Sequence, residues 1–103
     1  MALEDGKIEV GGRKLQVVTL DFETYYDKGY TLSGKLNTSE YIRDERFHVH
    51  GVGIKIGNGP TKWYTGKNIA LALAQIDWSK TALNAHNTSF DGFILSEVFG
   101  HKP

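Results

Sequence analysis

The stretch KLQVVTLDFET, residues 14 to 24, constrains the fold more than any other part of the chain. It begins as a buried strand does, with Val17, Val18 and Leu20 in close succession, and a strand over residues 14 to 22 is expected. It then sets two carboxylates, Asp21 and Glu23, at its far end. Side chains alternate across a strand, so the two acids share one face and Phe22 takes the other. At roughly 6 Å and an effective dielectric of about 20, their repulsion is ~3 kcal/mol, a large share of a small domain's stability. Two arrangements offset it. Water and salt can screen the pair, or both carboxylates can share a divalent cation, since hard cations such as Mg²⁺ take carboxylate oxygens.

The surrounding elements suggest where that strand lies. KIEV, the pair Gly11-Gly12 and KLQVVTL read as a hairpin leading into it. Residues 25 to 40 show no sustained period and are punctuated by Gly29, Gly34 and Asn37, which predicts a long loop. Val52, Ile54 and Ile56 alternate as a strand, NGP turns the chain, and TKWYT returns as the antiparallel partner. Ile69, Ala72, Leu73 and Ile76 have helical spacing, so a helix of about ten residues is expected with Asn68 as its N-cap. TALNA, residues 81 to 85, is a short inner strand by composition. Phe90, Ile94 and Val98 then repeat at i, i+4 and i+8 before Gly100, which predicts a second helix. A strand reached across a helix implies a parallel crossover. The predicted class is therefore α/β, a mixed sheet in the order strand-strand-strand-helix-strand-helix. The carboxyl ends of the Asp21 strand and of TALNA open onto one edge, where ligands of open α/β sheets bind.

Composition narrows the chemistry. The 103 residues suffice for one domain or part of one, burying roughly 65% of the unfolded surface. No repeat, low-complexity tract or inter-domain linker is visible. Twelve Lys and Arg balance twelve Asp and Glu, so no global basic field holds nucleic acid by charge alone. Such affinity has to be local, metal-bridged or supplied by another part of a larger protein. The absence of cysteine excludes disulfides and thiolate metal sites and suits a reducing compartment. The start, MALEDGKIEV, has no apolar leader core, and no stretch nears the ~20 apolar residues of a membrane helix, so a soluble intracellular chain is expected.

A second motif, AHNTSFDGF at residues 85 to 93, sharpens the reading. Asp91 falls at the start of the second predicted helix, where the dipole favours any acid, and Asn87 serves equally as a loop or capping residue. Together with the earlier D-x-E, however, N-x-x-F-D makes a narrow pattern. It resembles the DnaQ-like (DEDD) 3′→5′ exonucleases of the ribonuclease H-like fold, and more closely the N-terminal proofreading domains of phage family A DNA polymerases. Asp21 and Glu23 match the first motif; Asn87, Phe90 and Asp91 match the second. FETYYDKGYTLS, EYIRDERF and HGVGI read similarly, so the likeness spans roughly residues 15 to 98.

The resemblance implies two-metal hydrolysis of the 3′-terminal phosphodiester of DNA, with Mg²⁺ or Mn²⁺ as cofactors. By this likeness Asp21 bridges both ions, Glu23 serves the ion that holds the nucleophile, and Asp91 reaches the other, partly through water. Asn87 and Thr24 are the substrate-binding residues, and Phe90 packs beneath the site. The implied partners are a single-stranded DNA 3′ end and the remainder of a polymerase chain, in the cytoplasm of a bacterial or phage-infected cell. The family's third motif, Tyr-x-x-x-Asp or His-x-x-x-Asp, does not occur before Pro103, and none of Asp27, Asp44 and Asp77 stands in for its carboxylate. The expectation is therefore a partial exonuclease domain, with its core at about residues 14 to 100. Alone it is expected to be inactive and, with one apolar sheet face uncovered, marginal or self-associating. The rival readings are a non-catalytic ribonuclease H-like module that docks nucleic acid or supports a polymerase, and another nuclease on the same fold.

Other residues carry weaker signals. His48 and His50 share a strand face but lack a third ligand for zinc, and His86 reads as a packed loop residue. Tyr25, Tyr26 and Tyr30 either stack on single-stranded bases or cover a core edge. VGG and GNGP lie between strands and form no phosphate-binding loop.

Overall fold

The computed structural model describes residues 6–26, 30, 37–85 and 88–101. Their frame is one mixed five-stranded sheet. Strand β1 (Lys7–Val10) forms a hairpin with the long β2 (Arg13–Thr24). Gly11 and Gly12 make its turn at φ 57 and 79, the two positive angles that a tight hairpin of this hand requires. Strand β3 (Val49–Ile56) runs antiparallel to β2, and β4 (Thr61–Tyr64) runs antiparallel to β3. On the other edge of β2, β5 (Thr81–Ala85) pairs in parallel from Gln16↔Thr81 to Leu20↔Ala85. This is the crossover expected of a strand reached through a helix.

β1 and β3 meet end to end along the same edge of β2. The Val17 amide donates to the Gly6 carbonyl at 3.1 Å, and the Val17 carbonyl accepts from the Gly57 amide at 2.7 Å. The junction needs glycine on both sides: a Cβ on Gly6 would lie 2.6 Å from Gly57 Cα, and both residues have positive φ. Gly57→Ala places its methyl 2.7 Å from Gln16 Nε2 in a left-handed conformation. It is expected to lower stability by ~1–3 kcal/mol in chemical denaturation.

One face of the sheet carries the core. Val18, Leu20 and Phe22 of β2 and Val52 and Ile54 of β3 join Ile69 and Leu73 of α2 (Lys67–Ala74) and Phe90 of α3 (Thr88–Phe93) in a single buried cluster. The other member helix, α1 (Thr38–Arg43), contributes Tyr41 and Ile42. This helix falls partly inside the segment expected to be loop. Asn37 caps it by accepting from the Glu40 amide while Glu40 returns a carboxylate to the Asn37 amide, a capping box that stabilises even a short helix. In the same region Tyr30 is fully buried, its ring stacked 4.4 Å from Tyr41 and its hydroxyl donating to the Tyr41 carbonyl. Tyr30 thus covers the core and is no base-stacking residue, whereas Tyr26 is exposed.

Two further expectations are corrected. Asn68 is inside α2 rather than at its cap; Gly66 takes the cap position at φ 57, which only glycine adopts without strain. Val98 is 43% exposed, and Leu95 is buried in its place beside Ile94. The cause is a π-helical segment, Ile94–Val98, that continues α3: Phe99 N–H donates to the Ile94 carbonyl, one residue further back than in an α-helix. The extra residue in the turn rotates Val98 off the core. Ser96 accompanies it, donating its hydroxyl to the Gly92 and Phe93 carbonyls.

Candidate functional site

Strand alternation puts Asp21 and Glu23 on the face of β2 opposite the core, and both are exposed. In water, with a dielectric near 80, their repulsion at roughly 6 Å falls below ~1 kcal/mol. Solvent can therefore screen the pair, and without a shared cation the ~3 kcal/mol expected from the sequence overstates their repulsion.

Asp91 sits differently. It is only 2% exposed, and its Oδ1 accepts from the Phe22 amide at 3.1 Å, although the two residues are 69 positions apart. The reason is where β5 stops. Even-numbered residues of β2 direct their amides toward β5, and that strand ends at Ala85, opposite Leu20. Among the described residues no strand pairs with the next amide on this edge, that of Phe22. α3 starts there, and its first-turn acid supplies the acceptor that a buried N–H requires. This role has no signature in the sequence, because it depends on where a parallel partner ends.

The consequence for the site is that the Asp91 carboxylate rests on the amide of the residue between Asp21 and Glu23. All three acids belong to the carboxyl end of β2. They do not close around a point: among the described residues no three His, Asp or Glu side chains converge as metal ligands. The donor chemistry nevertheless suits Mg²⁺ or Mn²⁺, being carboxylate oxygen throughout. Two of the three carboxylates are exposed, with room to rotate.

The remaining candidates separate by position. Asn87, His86 and Asp27 lie outside the described residues. Thr24 stands at a bulge in the β2–β3 pairing, its hydroxyl 3.0 Å from that of Tyr41. Phe90 is buried with its ring 5.9 Å from Tyr41. Exposed His48 and His50 meet edge to face at 5.0 Å. Asp44 is taken by Arg46 at 2.9 Å, which holds its carboxyl down at about 2. Asp77 caps the 3₁₀ turn Trp78–Lys80, and the Ser79 hydroxyl bonded to it lowers its pKa.

Register across the sheet defines the rest of the acidic face. One row runs Asn84, Thr19, Lys55, Thr61; the next runs Asp21, Gly53, Trp63; the third begins Glu23, Gly51. Trp63 is the residue that sequence reasoning missed. Its indole leans from β4 across β3, so that a Cβ on Gly51 would lie 2.3 Å from its Cζ2 and one on Gly53 3.9 Å from its Cε3. The available signal was the alternation Gly51-Val52-Gly53 opposite TKWY, but only the register says which residue covers the glycines. Around the acids this face is polar apart from Trp63, whereas its other end carries Ile8, Val10, Leu15, Val17 and Ala82 outside the core cluster, with Val10 54% exposed.

A groove of about 760 Å³ lies elsewhere, between α2 and the opposite end of β2, lined among others by Gln16, Val18, Leu71, Ile76 and Lys80. Asp21, Glu23 and Asp91 do not line it. Among the described residues no helix is long and apolar enough to cross a membrane. The chain matches no protein-family model, no curated protein and no solved structure.

Proposed function

We propose that this chain is the D-x-E and N-x-x-F-D portion of a metal-dependent 3′→5′ exonuclease of the ribonuclease H-like fold, the proofreading region of a phage-type family A DNA polymerase. The observation that supports the reading is the bond from the Phe22 amide to Asp91, which ties the acid of the second motif to the backbone between the two acids of the first. The mixed sheet, with one parallel pair beside antiparallel ones, is compatible with that fold.

In this reading Asp21, Glu23 and Asp91 would hold two divalent ions, and Asn87 and Thr24 would hold the backbone of the DNA strand. Such ions, when bound, supply a hydroxide at neutral pH and offset charge on the pentacoordinate phosphorus. In the overall reaction an oxygen from water would replace, on phosphorus, the 3′ oxygen of the preceding nucleotide. That oxygen takes a proton from water, and a 5′-mononucleotide leaves. The exposed carboxylates of Asp21 and Glu23 suit this chemistry because the nucleic-acid end has to reach them from solvent.

One observation favours the non-catalytic module instead: Asp91 has a structural task in capping the β2 edge, so its presence does not require a metal. The experiment separates the readings. Labelled single-stranded DNA is given to the gene product carrying these residues, with Mg²⁺, with Mn²⁺ and with chelator. The exonuclease releases mononucleotides from the 3′ end with either metal and none with chelator, and Mn²⁺ raises the melting temperature of the 103-residue chain by binding its folded state. Binding of DNA with no release and no metal response establishes the module; preferential digestion of RNA establishes another nuclease.

A further inference from the structure

Trp63 is 54% exposed on β4, which pairs only with β3 among the described residues, and glycines lie beneath its ring. It lies on the bare backbone of Gly51 and Gly53, close enough that a methyl at residue 51 would overlap the ring. Covering strand glycines stabilises a sheet and accounts for one side of the indole. It does not account for the side left to water, where an aromatic surface costs about 25 cal/mol per Å² relative to burial. The neighbours narrow what that side can receive. Asp21 is in the same cross-strand row, with Gly53 between, and Glu23 faces Gly51. The six-membered ring therefore lies about one strand spacing, ~4.8 Å, from the strand that bears both acids. The next row offers Lys55, Thr19, Thr61 and Asn84, with Asn84 donating to the Thr19 hydroxyl at 3.3 Å. In these two rows a second protein layer has little to bury besides the indole, since the apolar residues of this face, Ile8, Val10, Leu15 and Val17, lie at the other end of β2. A ligand with a flat ring and a charged, hydrogen-bonding backbone matches it.

We infer that the open face of Trp63 is the stacking platform for one base of a single-stranded nucleic acid whose phosphate lies at Asp21 and Glu23. The inference rests on the exonuclease reading and adds the residue that positions the strand. Lys55 is the cation on the adjacent row for a neighbouring phosphate. Because two carboxylates repel phosphate, a divalent ion has to accompany the strand, so stacking depends on metal. A saccharide on the same ring needs none.

The test is fluorescence. Trp63 is exposed, whereas Trp78 is buried and donates to the Leu73 carbonyl, so the red-shifted part of the emission reports Trp63. The 103-residue chain is titrated with a phosphorothioate octathymidylate, which resists hydrolysis, with Mg²⁺ and with chelator, and maltoheptaose serves as the neutral comparator. Quenching of the red-shifted emission with Mg²⁺ alone is expected. Trp63→Ala is expected to weaken oligonucleotide binding roughly 5- to 150-fold by anisotropy, with Trp63→Phe between the two. Gly51→Val, which pushes the indole aside, weakens it while Trp63 remains present. Melting curves establish that each variant is folded, and sedimentation that the chain is monomeric.

Metal-dependent binding or hydrolysis that Trp63→Ala leaves unchanged overturns the platform and leaves the exonuclease reading standing. Quenching by maltoheptaose, binding indifferent to Mg²⁺, no binding, or a dimer that buries Trp63 overturns the platform. Hydrolysis by the gene product carrying these residues then decides the exonuclease reading separately.

Discussion

Asp91→Asn is expected to reduce metal-dependent release of mononucleotides by at least ~10³-fold, about 4 kcal/mol of transition-state stabilisation, while the fold survives. The amide oxygen of asparagine still accepts from the Phe22 N–H, so the bond that closes the β2 edge is kept and only the negative charge is removed. Asp91→Ala is expected to lose both. The buried Phe22 amide is then left without its acceptor, which costs roughly 1–3 kcal/mol and shows as a lower midpoint in urea. The pair of variants separates the two tasks of one side chain. If both retain full hydrolysis, Asp91 caps the strand edge and does nothing further.

Tyr30→Ala is expected to be the most destabilising single change among the described residues, at roughly 3–5 kcal/mol by analogy with other aromatic truncations in cores. Tyr30 is fully buried, stacks on Tyr41 at 4.4 Å and on Tyr25 at 6.1 Å, and lies 4.5 Å below the Arg46 guanidinium. Its removal leaves a cavity where α1 joins the sheet. In a domain of 5–15 kcal/mol total stability such a loss unfolds a visible fraction at 37 °C. Tyr30→Phe keeps the stack and costs about 1 kcal/mol for the lost hydroxyl bond. The phenol also predicts an alkaline transition. Burial first, then Tyr41 and Asp44, push its pKa from 10.0 up to about 12, against a lowering by Arg46. The folded state therefore binds this proton more tightly than the unfolded state. Its contribution is fully present below pH 10 and is lost as pH rises to about 12, on the order of 2 kcal/mol. Denaturation midpoints between pH 9 and 12 measure it, and Tyr30→Phe is expected to flatten that part of the profile.

How much of this was legible in the sequence follows from the range of each interaction. Strand alternation is a property of consecutive residues, so the pattern from Val17 to Glu23 alone determined that Asp21 and Glu23 share a face opposite Phe22. The spacing of Ile69 and Leu73 likewise determined the buried side of α2, and a helix between two strands determined that β5 runs parallel to β2. Where a local rule competes with a neighbour far along the chain, the sequence was silent or misleading. The capping box at Asn37 and Glu40 starts a helix within the last residues of the segment expected to be loop, and the π turn displaced Val98 in favour of Leu95.

The site divides in the same way. Which residues carry oxygen ligands is a matter of composition and is plain from DFET and SFDGF. Whether they meet is a matter of register. Tertiary structure alone decided that the β5 pairing ends at Leu20, that the Phe22 amide meets Asp91, and that Asp21 and Glu23 are exposed while Asp91 is buried. It alone laid Trp63 across Gly51 and Gly53, because a strand's neighbours are fixed by backbone hydrogen bonds between segments distant in the chain, and a slip of one residue would turn every side chain to the other face.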